Sequence, residues 1–113
     1  MDYDLVTELQ SKTRQLEASI RQLRKSGTDY AEAERNYKVL LRSECLKLRD
    51  SGMAIGMIDK TCYVIPSVAE ARFRRDVAEA VYKANLEAIN SIKLQMRLIE
   101  NQLQREWGAN ESA

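Results

Sequence analysis

From Val6 the apolar positions run Val6, Leu9, Leu16, Ile20 and Leu23, with Thr13 holding the place between Leu9 and Leu16. This alternation of three and four residues predicts a helix with a coiled-coil seam. The helix is expected over about 3–25, where Arg21, Arg24 and Lys25 complement the helix dipole and Ser26-Gly27 supplies a stop. Asp29 and Glu32 then stand at capping-box spacing and predict a restart. A second helix, over about 29–51, carries an inward face of Tyr30, Ala33, Tyr37, Leu40, Leu41, Cys45 and Leu48, and Ser51-Gly52 closes it.

Between Gly52 and Pro66 the chain is apolar without a clean period. It reads as a loop with a short helix near Ala54 to Lys60, and the β-branched run Thr61 to Ile65 leaves a strand as the competing reading. Ser67 and Glu70 after Pro66 form a capping box, and no Gly or Pro follows until Gly108. One helix over about 68–107 follows, roughly 60 Å long. Its seam is Val68, Ala71, Arg75, Ala78, Tyr82, Asn85, Ile89, Ile92, Met96, Ile99 and Leu103. A second apolar line of Val77, Val81, Leu86, Leu94 and Leu98 is expected to widen that face.

Helix lengths decide the next step. Two shorter helices cover only part of a 60 Å partner, so Ile89, Ile92, Met96, Ile99 and Leu103 are expected to meet either helix 1 or their own copy in a second chain; the two-fold partner is the commoner solution, with Asn85 setting register and Trp107 as an anchor. The expected fold is all-α: an antiparallel helical hairpin plus one long C-terminal helix, a coiled-coil-like bundle completed by homo-oligomerisation. It forms a single domain over 1–107, with a frayed polar tail over 108–113.

Composition narrows the chemistry. The chain of 113 residues has no His, which excludes catalytic triads, imidazole metal sites and histidine pH switches together. Its 18 Lys plus Arg against 17 Asp plus Glu leave a net charge of +1, so no whole-molecule field drives nucleic-acid binding. Cys45 and Cys62 lack zinc-type spacing and read as reduced, packed thiols. The acidic start Met1-Asp2-Tyr3-Asp4 is unlike a signal peptide, and no apolar run reaches the roughly 18 residues of a membrane span. A cytoplasmic protein with no metal, no cofactor and no enzymatic activity is expected.

The candidate chemistry lies in a basic and aromatic cluster. Arg72, Arg74, Arg75 and Lys83 stand beside Phe73 and Tyr82, and Lys60 and Tyr63 precede them in the loop. Guanidinium groups near a helix start, with rings able to stack on a base, fit a phosphate or nucleotide site. The opposing structural reading pairs Arg75 with Asp76 or Glu79, or lets it snorkel to solvent. Helix 1 carries Lys12, Arg14, Arg21, Arg24 and Lys25 on what reads as a solvated face. No P-loop and no dinucleotide-binding glycine motif is present.

Arg72-Phe73-Arg74-Arg75-Asp76-Val77-Ala78-Glu79-Ala80-Val81-Tyr82-Lys83, the stretch Asn90 to Gln95, and Arg105-Glu106-Trp107 resemble a group of small helical proteins encoded by prophages of Gram-positive bacteria. Asp29 to Glu34 and the Arg49 to Met53 turn extend the resemblance over most of the chain. It implies a phage setting, in which small proteins act by binding. One reading is a homo-oligomeric sponge that sequesters an anionic nucleotide made by host defence, with Arg72, Arg75 and Lys83 on phosphates, Arg74 assisting, and Tyr82, Tyr63 or Phe73 stacking on the base. The alternative is a coiled-coil adapter that docks on a host or phage protein. A nucleic-acid-binding accessory protein is a third reading.

Overall fold

The computed structural model describes the backbone of residues 2–112 and the side chains of 3–108. It contains three helices, α1 (Asp2–Asp50), α2 (Ile55–Cys62) and α3 (Pro66–Ser112), with no strand among the described residues. The fold is therefore all-α, and the strand reading of Thr61 to Ile65 is replaced by the end of α2 and a turn. Within 108–113, residues 108–112 continue α3. Ala113 and Met1 lie outside the described residues.

The expected break at Ser26-Gly27 is absent, and one 49-residue helix replaces the two of the sequence reading. Two observations account for this. Gly27 is not among the residues with positive φ, a set that contains Gly52 alone, so it takes a conformation open to any residue. The Tyr82 ring packs beside it, 3.5 Å from where a Cβ would stand, an ordinary van der Waals distance. Ser26 beside it is buried.

The chain divides into two compact units. One spans Lys25–Tyr82 and holds the second half of α1, all of α2 and the start of α3. The other joins the chain up to Arg24 with the chain from Lys83.

In the Lys25–Tyr82 unit, α1 ends where the expected glycine stands. Gly52 has φ of 88°, the Met53 amide donates to the Leu48 carbonyl at 3.2 Å, and the Gly52 amide donates to Arg49 at 3.0 Å. This is a Schellman stop, and Met53 and Leu48, the positions that usually make its apolar contact, are both half-buried. The next helix, α2, buries Ile58 and Cys62 and leaves Ile55 exposed. Pro66 opens α3 at the first helical position, where its missing amide proton costs nothing. The Ser67 capping box is thereby displaced, since Ser67 lies inside the helix and Glu70 binds Arg74 instead. Val68, fully buried, and Tyr37 form the apolar centre, and Tyr30 packs on Tyr82 with ring centroids 5.9 Å apart.

In the other unit the interior comes from Ile89, Ile99 and Leu103, all buried, against the half-buried Val6, Leu9, Leu16, Ile20 and Leu23 of α1. The Asn85 side-chain amide donates to the Gln22 carbonyl at 3.4 Å, which ties the two helices at one level. These α3 residues are covered within their own chain, because α1 at 49 residues is as long as the 47-residue α3. The uncovered overhang expected from shorter helices does not exist.

Candidate functional site

Three arginines within four residues of one helix cannot share a direction, since each step turns the side chain by about 100°. The structure sends them to different partners. Arg74 reaches back one turn to Glu70, Nε to Oε1 at 3.0 Å. Arg75, on the seam, places its guanidinium 4.7 Å from the Tyr37 ring centroid and bonds Asp76 through Nη2 at 2.9 Å. The Asp76 hydrogen bond holds the guanidinium charge more firmly than usual, outweighing the opposing cost of burial. Arg72 lies over Tyr63, 5.9 Å from its centroid.

The structure therefore brings together Arg72 and Tyr63, both exposed, and turns Arg74 and Arg75 to carboxylates of their own helix. Tyr82 packs against Tyr30 and Gly27. Lys60 is exposed on α2, and Lys83 falls in the other unit. A cavity of about 480 Å³ in the Lys25–Tyr82 unit is lined by Asp29, Glu32 and Glu70 with Arg74 as its one cation. Three carboxylates against one guanidinium repel an anionic ligand.

A second depression, about 310 Å³, has a different character. Phe73, Val77, Ala78 and Val81 of α3 line it with Ser26 of α1, and Asp29 and Arg74 stand among them as its charged members. Phe73 is 62% exposed, Val77 46% and Val81 49%. The second apolar line thus does not widen the packed face of α3 as expected. Val77, Val81, Leu94 and Leu98 are all exposed, and Leu86 alone is half-buried. Open grooves with apolar walls and a charged rim accept the apolar face of another helix. The sequence carried a signal for this groove in the i, i+4 repeat Phe73, Val77, Val81, set on the edge away from the seam.

Of the residues expected at an oligomer interface, Ile89, Ile99 and Leu103 are buried in their own chain, and Asn85, Ile92 and Met96 are half-buried. Trp107 is half exposed. Among the described residues, no helix is long and apolar enough to cross a membrane, and no group of His, Cys, Asp or Glu is placed to hold a metal ion. In comparisons with family models, curated proteins and solved structures, nothing matches this chain.

Proposed function

We infer that this protein is a non-enzymatic adapter, which acts by docking the exposed apolar face of α3 against a helix of another polypeptide. The observation that carries the reading is the groove walled by Phe73, Val77 and Val81. Large apolar side chains left half exposed in a row are costly in water, roughly 25 cal/mol per Å² of apolar surface, and a partner helix removes that cost. Ser26 and Ala78, small residues in the same depression, leave room for an incoming side chain. In the phage setting that the sequence resemblance implies, the partner is a host or phage protein.

The nucleotide-sponge reading draws support from the exposed Arg72–Tyr63 pair alone, since Arg74 and Arg75 already hold carboxylates. One paired experiment separates the two. Tagged wild type and a Phe73→Glu, Val77→Glu variant are purified side by side from the producing cells, and both are taken through a thermal-shift panel of cyclic dinucleotides and cyclic ADP-ribose isomers. Docking predicts a polypeptide retained by wild type and lost from the variant, with no nucleotide shift. A nucleotide-dependent rise in melting temperature that disappears in Arg72→Ala would overturn the docking reading.

A further inference from the structure

The groove of Phe73, Val77 and Val81 does not end at its apolar walls. At Asp29 and Arg74 it adjoins the cavity that Glu32, Ser67 and Glu70 line, so the two form one open trough between α1 and α3. Every residue of this trough belongs to the Lys25–Tyr82 unit. Its α3 side extends from Ser67 to Val81, about 21 Å, which is long enough to seat roughly four turns of another helix. Ser26, Ala33, Ala71 and Ala78, all buried or half-buried, keep its floor low and let a second helix come close.

The two halves of the trough differ in charge. Phe73, Val77 and Val81 make one half apolar, whereas the half toward Ser67 sets Asp29, Glu32 and Glu70 against Arg74. Arg74 is already committed to Glu70 at 3.0 Å. Among the described residues, Asp29 and Glu32 have no ion-pair partner, and both are exposed. Two uncompensated carboxylates therefore stand next to an open apolar groove.

Building on the docking reading above, we propose that the helix received here is amphipathic and basic. About two turns of its apolar side chains settle on Phe73, Val77 and Val81, and Lys or Arg residues in the adjoining turns of the same face reach Asp29 and Glu32. The apolar half supplies most of the affinity. The ion pairs at the open rim set register and speed the encounter.

Charge complementarity selects this occupant over the others. Nucleic acid, an anionic lipid surface and an acidic helix all bring negative charge against Asp29 and Glu32. A second copy presenting this same face brings the same excess of carboxylates. A neutral helix strips water from the two carboxylates and offers no cation in return. Lys and Arg offer one, and their aliphatic stems can lie along the apolar wall while the charged ends stay at the rim.

The test uses the full chain and a displayed library of helical peptides, about 18 residues long, randomised along one face. Peptides are selected on wild type and counter-selected on Phe73→Glu, a change at an exposed site whose helicity is checked by circular dichroism. The expected enrichment is in peptides with apolar residues at i, i+4 spacing followed on the same face by Lys or Arg. For the most enriched peptide, fluorescence anisotropy should show binding weakened about tenfold by Asp29→Lys combined with Glu32→Lys, and restored with that variant when the peptide's own cations are exchanged for Glu. Enriched peptides without an excess of Lys or Arg, or binding indifferent to the charge reversal, would overturn the basic assignment and leave the docking reading standing. Failure to recover any peptide that distinguishes wild type from Phe73→Glu would sink both. A particle of about 26 kDa, twice the 13.0 kDa of one chain, that reverts to 13.0 kDa in Phe73→Glu would give the groove to a second copy and refute the proposal.

Discussion

Gly27 and Gly52 occupy the same unit and differ in what each does for the backbone, and replacing each by alanine measures that difference. At Gly27 the helix runs on with ordinary φ, and an added Cβ would sit 3.5 Å from the Tyr82 ring, a normal van der Waals distance. Alanine there relieves the entropic cost of glycine in a helix interior, about 0.5–1 kcal/mol in favour of the folded chain. At Gly52 nothing lies within 4 Å of the added carbon, yet φ is 88°. The cost is then purely one of backbone conformation, about 1–2 kcal/mol against the fold. For a chain of this size 1 kcal/mol moves the melting temperature by about 4 °C. Gly27→Ala should therefore melt about 2–4 °C higher than wild type and Gly52→Ala about 4–8 °C lower, read by circular dichroism at 222 nm. A clear fall in Gly27→Ala would mean that α1 is broken at Ser26-Gly27 and would refute the continuous helix.

Two further expectations concern packed side chains. Arg75→Ala removes a guanidinium stacked on Tyr37 and an aliphatic stem that is mostly covered, so denaturant titration should show a loss of about 1–2 kcal/mol, with Arg75→Lys recovering only part. An unchanged midpoint would mean that the side chain is free in solvent. Burial, with the Cys45 thiol beside it, pushes the Cys62 thiol up to about 11. The unfolded thiol loses its proton near 9.0, so between these values the folded state binds more protons. The associated stability is complete below pH 9 and is lost as pH rises through 11. Cys62→Ala should decline less steeply than wild type across that window, and parallel slopes would reject the assignment.

The packed face of α3 was legible residue by residue. Every position of the expected seam, from Val68 to Leu103, is buried or half-buried, because a strict three-four alternation leaves no other face to bury. The same logic, carried further, would have joined the first two helices. Ile20, Leu23, Gly27, Tyr30, Glu34, Tyr37, Leu41, Glu44 and Leu48 keep one unbroken phase, and all are buried or half-buried. A true turn resets that phase, so its preservation outweighed the local stop signal of Ser26-Gly27. For Arg75 the neighbouring Asp76 was legible as an ion-pair partner, but the Tyr37 ring under its guanidinium was not, since Tyr37 lies 38 positions away in the chain. The exposed line through Val77 and Val81 was misread for a related reason: apolarity states that a residue wants cover and is silent on which chain provides it.

The division of the chain into two units also separates local from long-range closure. Contacts in the Lys25–Tyr82 unit close short stretches of chain around the Gly52 stop, whereas Gln22 and Asn85 in the other unit stand 63 residues apart. Closing a loop costs entropy that grows with the logarithm of its length, so each contact between the two chain segments of that other unit carries a larger closure cost than the turn at Gly52. Substitutions at Ile89, Ile99 and Leu103 are accordingly expected to speed the opening of their own unit more than they slow its formation.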